Sequence, residues 1–103
     1  MARTTVKVKY SSFDGLQNKI SALLSSKGYK NINENNEDVW KNGMGFLTAM
    51  KYIKIEFAEN NTLVISGWCR AMAGGEMDLN GVVGALPKKQ VMNVIKELQA
   101  IVK

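Results

Sequence analysis

The chain opens with an alternation of apolar and polar side chains. Over residues 4–10 three apolar side chains fall on one face and two lysines on the other: Val6, Val8 and Tyr10 against Lys7 and Lys9. A period of two residues is typical of a strand that buries one face and leaves the other in water. We therefore predict a first strand over residues 4–10.

The pattern then changes to the spacing of an amphipathic helix. Five apolar side chains recur at helical intervals: Phe13, Leu16, Ile20, Leu23 and Leu24. Ser11 stands three residues before Asp14, the spacing of a capping box, which predicts that the helix begins at Ser11. Gly28 is expected to end the helix in a left-handed conformation, with Tyr29 beyond it as the apolar contact.

The middle of the chain predicts strands separated by turns. Residues 31–38 are polar and rich in asparagine, which indicates a connection and not a regular element. Four strands are expected after it, over about residues 39–41, 48–58, 62–72 and 76–80. The two longer strands are joined at Asn60 and Asn61, which tolerate the positive φ of a hairpin turn.

The last segment predicts a second helix. Pro87 suits its first turn, and its buried stripe is predicted to be Val91, Val94, Ile95, Leu98, Ile101 and Val102. The resulting order is β-α-β-β-β-β-α. Antiparallel strands with helices on one face predict an α+β two-layer sandwich. A length of 103 residues, of which 46% are hydrophobic, suits one domain over residues 1–103.

This order is similar to that of the TATA-binding-protein-like and helix-grip folds. At the residue level, segments 39–45 (VWKNGMG), 47–54 and 75–89 resemble a group of small domains from Gram-positive bacteria that have no assigned activity. Some of those relatives carry a zinc ribbon before the domain, but the cysteine pairs of a ribbon are missing here. The resemblance therefore implies no catalytic or binding residue.

Composition excludes several classes of function. The chain has no histidine and a single cysteine, Cys69, so it cannot build a Ser/His or Cys/His nucleophile pair or a four-ligand zinc site. We expect no catalytic residue, no cofactor and no metal, and we interpret Cys69 as a small buried hydrophobe. One thiol, no signal-peptide pattern and no long apolar run predict a cytoplasmic protein without membrane association.

The loop before the second helix offers a candidate anion site. Gly84 precedes the helix, and Lys88 and Lys89 fall in or near its first turn. Backbone N–H groups at a helix start can bind an anion. The glycine spacing is not that of a phosphate loop, however, and lysines at this position are more typical of a solvated surface.

The hairpin at Asn60 and Asn61 allows two registers. A two-residue turn pairs Phe57 with Val64 and puts Trp68 in the core. A three-residue loop, 59–61, pairs Phe57 with Leu63 instead and turns Trp68 outward. A slip of one residue exchanges the faces of a strand. We favour the second register because its inner face is more apolar.

That register predicts an interaction face on the open side of the sheet. Its candidate residues are aromatic and cationic: Tyr52, Lys54, Trp68, Arg70, Lys7 and Lys9. Exposed apolar patches often mark protein interfaces, so we expect a binding module that forms a homodimer or takes a protein partner. One alternative is weak nucleic-acid binding, because aromatic rings among cations on an open sheet can stack on unpaired bases; the net charge of +5 adds only slightly to that case. Another is a small-ligand pocket between the helices and the sheet.

Overall fold

The structure, a computed structural model, describes residues 3–42, 50–70, 76–77 and 85–102. These residues form eight elements: β1 (Thr4–Lys9), α1 (Leu16–Ser26), β2 (Lys30–Glu34), β3 (Glu37–Asn42), β4 (Met50–Ala58), β5 (Thr62–Arg70), β6 (Glu76–Met77) and α2 (Ala85–Val102). The strands form one antiparallel sheet in the order β1-β5-β4-β3-β2, with β6 paired to β5. The predicted α+β two-layer architecture is confirmed.

The element order differs from the prediction by one strand. Residues 31–38, predicted to be a connection, form most of a hairpin in which β2 pairs with β3. Its turn consists of Asn35 and Asn36, with φ of 55° and 65°, the left-handed pair that a two-residue hairpin turn requires. The prediction was wrong because Ile32 is the one apolar residue of β2, so the strand gives no alternation of apolar and polar residues.

The start of α1 also differs from the prediction. The helix begins at Leu16, after Gly15 with φ of 72°, and not at Ser11. The Oγ of Ser12, not of Ser11, accepts a hydrogen bond from the Asp14 backbone N–H at 3.2 Å. The capping box is therefore wrong, and Phe13 lies before the helix with 51% of its surface exposed.

The end of α1 follows the prediction. Gly28 has φ of 87°, and its N–H donates to the Ser25 carbonyl at 3.0 Å. The N–H of Tyr29 donates to the Leu24 carbonyl, also at 3.0 Å. These two bonds form a Schellman motif, and the buried ring of Tyr29 supplies the expected apolar contact.

The β4–β5 hairpin adopts the three-residue register. Phe57 pairs with Leu63 and Ile55 with Ile65 across the strands, and the loop is 59–61. The inner face of the sheet packs on α2, which lies over β4 and β5 and also contacts α1. The predicted stripe of α2 is confirmed, with Ile101 half-buried and its other members buried. The predicted strand residues 78–80 lie outside the described residues.

Candidate functional site

The outer face of the sheet carries the aromatic residues that the sequence predicts there. Trp68 on β5 pairs directly with Tyr52 on β4. Each of the two side chains, however, has only 2% of its surface exposed. The expectation that they form an open, exposed patch is therefore wrong, and the cause lies in the residues around them.

Trp68 and Tyr52 form the centre of a row that crosses the sheet. Their rings are stacked, with centroids 5.2 Å apart and planes within 3°. The guanidinium of Arg3 lies 3.7 Å from the centroid of the Trp68 ring, and the Nζ of Lys41 lies 5.6 Å from that of Tyr52. A cation thus lies over each end of the aromatic pair, an attractive arrangement for both rings. We call these four residues the outer row.

The acidic end of the β2–β3 hairpin closes over the outer row. Glu37 accepts two hydrogen bonds from Arg3, at 2.7 and 2.9 Å, and one from Lys54 at 2.8 Å. These hydrogen bonds lower the pKa of Glu37 from 4.5 to about 2. The carboxylate is therefore fully charged at neutral pH and joins β3 to cations on β4 and before β1.

Glu34 makes the second closing contact. It accepts a hydrogen bond from the Tyr52 hydroxyl at 3.1 Å, and its oxygens lie 3.6 Å from Arg70 and 3.9 Å from Lys41. Burial and this carboxylate raise the pKa of Tyr52. The hairpin was predicted to be a loop, so no sequence signal placed Glu34 and Glu37 over the aromatic pair.

The remaining candidates on the outer face are ordinary surface lysines. Lys7 and Lys9 are both exposed, and Lys9 donates a hydrogen bond to the Asn60 carbonyl at 2.8 Å. Lys54 and Arg70 are engaged by the carboxylates of the hairpin. With the aromatic pair covered, the outer face presents mainly cations, and four of them, Arg3, Lys41, Lys54 and Arg70, are paired with Glu34 or Glu37.

The predicted anion site is not assembled by the described side chains. Lys88 is buried, with 6% of its surface exposed, whereas Lys89 points into solvent. Gly84 lies outside the described residues. The two lysines therefore do not face one common site.

Cys69 has the character that the sequence predicts. It is a free cysteine, fully buried in the main core. Burial raises the pKa of its thiol, and the charges of Lys88 and Lys51 offset only part of that rise. Because the thiolate is the reactive form, this environment is that of a structural cysteine.

A groove on the other side of the sheet is the most complete candidate site. It lies between α1 and the inner face of β3 and β4 and has a volume of about 330 Å³. Its lining is uncharged: Gln17, Asn18, Ile20, Ser21, Trp40, Ile55 and Phe57. The sheet contributes two half-buried rings and the helix two amides and a hydroxyl, so apolar and hydrogen-bonding groups face each other.

Aromatic rings continue the groove towards the start of α1. Phe57 lines the groove. The centroid of its ring lies 5.0 Å from the ring centroid of Phe13 and 6.0 Å from that of Tyr10. A smaller cavity of about 130 Å³ at Phe13 shares Gln17 and Asn18 with the groove. The exposed ring of Phe13 therefore extends the apolar surface at this end.

The sequence contained part of the signal for this groove. Trp40 lies on a short predicted strand and Phe57 on the inner face of the favoured register, while residues 17, 18 and 21 flank the buried stripe of α1. The sequence does not predict the distance between α1 and β3, because no local pattern of residues specifies it.

The described residues include neither a candidate metal site nor a membrane-spanning helix. In that part of the chain, no three Cys, Asp or Glu side chains come together as a metal site would require, and neither described helix is long and apolar enough to cross a membrane. In comparisons with known proteins, no family model, curated protein or solved structure matches the chain.

Proposed function

We propose that the chain is a non-enzymatic binding domain that holds a small uncharged ligand in the groove between α1 and the sheet. The observation that carries this proposal is the lining of the groove, which sets Trp40 and Phe57 opposite Gln17, Asn18 and Ser21. Small-molecule sites combine apolar walls with a few convergent polar groups. A volume of about 330 Å³ lies at the lower end of their size range.

The chemistry of the lining favours an uncharged ligand with one flat apolar part. The seven lining side chains include no acid and no base, so a charged ligand would lose water without gaining a counter-charge. Trp40 and Phe57 offer ring faces or edges, and the amides of Gln17 and Asn18 both donate and accept hydrogen bonds. An aromatic ring that carries an amide meets both requirements.

The outer face supports a binding function less well. Self-association or base stacking through Trp68 and Tyr52 needs their surfaces, but Glu34, Glu37 and Arg3 cover them. A nucleic acid would have to displace these contacts before it could reach a ring.

A second cavity, of about 270 Å³, is a weaker candidate. Its lining includes an ion pair between Lys27 and Glu97 at 3.1 Å and a hydrogen bond from Lys51 to Gln90 at 3.0 Å. These polar groups already bind one another, whereas the amides of Gln17 and Asn18 have no hydrogen-bond partner within the described residues.

We place this binding domain in the cytoplasm. The support is the single thiol of Cys69, which has no partner for an internal disulfide. Disulfides are characteristic of oxidising compartments.

Three small ligands of the same shape test the proposal. Benzamide, benzoate and benzylammonium share one ring and differ in charge. Binding can be followed by the fluorescence of Trp40 in a Trp68→Phe variant, which leaves one tryptophan in the chain. We expect benzamide to bind with a Kd in roughly the millimolar range and both ions to bind at least about tenfold more weakly.

A pair of variants locates the binding. Ser21→Phe fills the groove, while Ser25→Phe adds the same ring at an exposed position of α1 outside the lining. We expect Ser21→Phe to abolish benzamide binding and Ser25→Phe to preserve it. Equal binding of the three ligands, or binding that survives Ser21→Phe, would overturn the proposal.

A further inference from the structure

Strand β2 forms one edge of the sheet. In the order β1-β5-β4-β3-β2 it pairs, among the strands that the structure describes, with β3 alone. The side chains of Lys30, Asn31 and Asn33 are exposed along it. A strand edge of this kind presents unpaired N–H and C=O groups to any second strand that can lie beside it.

The hairpin register determines which backbone groups point outward. The two-residue turn makes Glu34 and Glu37 the hydrogen-bonded pair that closes the hairpin. Alternate residues therefore direct their backbone groups to β3, and the residues between them, Asn31 and Asn33, direct theirs to the free edge.

The sequence of β2 is complementary to itself when it is reversed. It reads Lys-Asn-Ile-Asn-Glu from Lys30 to Glu34, a pattern centred on Ile32 with opposite charges at its ends. We propose that β2 pairs antiparallel with β2 of a second copy of this chain, about a twofold axis at Ile32. Lys30 then faces the partner's Glu34, and Asn31 faces the partner's Asn33.

Charge and hydrogen bonding agree in this register. Asn31 and Asn33 both direct their backbone groups outward, so each Asn31–Asn33 pair exchanges two hydrogen bonds with the partner, and the interface has four. The ends of the interface are two Lys–Glu pairs on the same face as Ile32. A shift by one residue would place inward-directed groups at the interface and would lose these bonds.

Within one copy, the like charges of the hairpin face each other. Lys30 lies directly opposite Lys41, and Glu34 opposite Glu37, an unfavourable arrangement on a sheet. The two glutamates are compensated by cations of the outer face. Lys30 makes no ion pair with any described residue, and the partner's Glu34 would supply one.

Five paired residues make a small interface, so the dimer is weak. Interfaces well below about 1,200 Å² are typical of transient association. We expect a concentration-dependent equilibrium with a Kd of about 0.1–1 mM. It is measured by sedimentation equilibrium up to millimolar protein and needs no ligand, so its outcome is independent of the groove.

A charge reversal tests the pairing. Lys30→Glu places two carboxylates opposite each other at both ends of the dimer, and we expect at least about tenfold weaker association. The same substitution removes the repulsion between Lys30 and Lys41 within a copy, so the variant should fold. Lys19→Glu, an equal change of charge at an exposed position of α1, should leave association unchanged.

A backbone change provides a second test. Asn33→Pro removes an outward backbone N–H and no backbone bond to β3, a position where an edge strand tolerates proline. It also removes the hydrogen bond from the Asn33 amide to Asp38 at 3.1 Å, and Asn33→Ala removes that bond equally. We expect a folded monomer at all concentrations, while Asn33→Ala, which keeps the N–H, still associates. The inference is overturned if the wild-type chain is monomeric at millimolar concentration, or if Lys30→Glu and Asn33→Pro associate as the wild type does.

Discussion

The Trp68 indole and the Tyr52 phenol are stacked on adjacent strands, with ring centroids 5.2 Å apart and ring planes within 3° of parallel. Both are closed off from water by Arg3 at one side and by the carboxylates of the β2–β3 hairpin above. Val39, on β3, completes this small second core. The pair therefore contributes to stability through burial and ring contact, as a core does.

Trp68 should consequently behave as a core residue. We expect Trp68→Ala to lower the free energy of unfolding by about 3–5 kcal/mol, because it empties a closed site. Val64→Ala, at a half-buried position on the same face of β5, should lower the free energy of unfolding by clearly less. Urea melts of the two variants measure the difference. A loss below about 1 kcal/mol for Trp68→Ala would mean that the hairpin does not cover the ring in solution.

Stability should depend on the protonation of Glu37 in acid. Its pKa is 4.5 in its ordinary state and about 2 in the folded chain, so the folded chain binds fewer protons between these values. The contribution of Glu37 is therefore fully present above about pH 5 and is lost as the pH falls towards 2. Denaturant melts at several pH values should show this loss.

The dependence of the free energy of unfolding on pH identifies the carboxyl group that causes the loss of stability in acid. Glu37→Gln removes the titrating group, so the stability of that variant should fall less steeply between about pH 5 and pH 2. Glu59→Gln, at an exposed position in the β4–β5 loop, should keep the wild-type slope. A Glu37→Gln variant with the slope of the wild type would show that the contacts with Arg3 and Lys54 do not form.

Tyr29 and Tyr52 should respond in opposite directions to loss of the hydroxyl. The Tyr29 hydroxyl is buried and has no hydrogen-bond partner among the described residues, so Tyr29→Phe should raise the free energy of unfolding by about 1 kcal/mol. Tyr52→Phe removes a donor to Glu34 and should lower it by about 1–3 kcal/mol. Thermal melts of the two variants are sufficient. Destabilisation by Tyr29→Phe would indicate that its hydroxyl is in fact bonded.

Alanine substitution of the two neighbouring leucines of α1 should lower the free energy of unfolding by different amounts. Leu24 is fully buried and Leu23 only half-buried. We expect Leu24→Ala to lower the free energy of unfolding by about 2–5 kcal/mol and Leu23→Ala to lower it less. Leu98→Ala in α2 should have an effect similar to that of Leu24→Ala. Equal small losses for all three would contradict the packing of the helices on the sheet.

Much of the scaffold could be predicted because its signals are local and apolar. The alternation of β1, the stripe of α2 and the Gly28 cap each require only a few neighbouring residues. The register of the β4–β5 hairpin followed from the apolar match of Phe57 with Leu63. Of the two registers that the hairpin allows, the observed one gives the more apolar inner face.

The candidate site was harder to predict because it depends on polar residues and on tertiary distance. The polar sequence of β2 predicts a connection, so it gives no indication that Glu34 and Glu37 cover Tyr52 and Trp68. The groove depends on how far α1 lies from Trp40, a distance determined by packing on α2. Both relationships depend on tertiary packing, so no local pattern of residues predicts them.

The most direct test of the proposed function is to locate a bound ligand by NMR. In a titration of the ¹⁵N-labelled chain with benzamide, we expect the largest shifts at the Trp40 indole and at the side-chain amides of Gln17 and Asn18. The Trp68 indole, on the other face of the sheet, should not move. Shifts centred on Gln90 and Asn93 in the second cavity, or no shift at the Trp40 indole with millimolar benzamide, would contradict the assignment of the groove as the binding site.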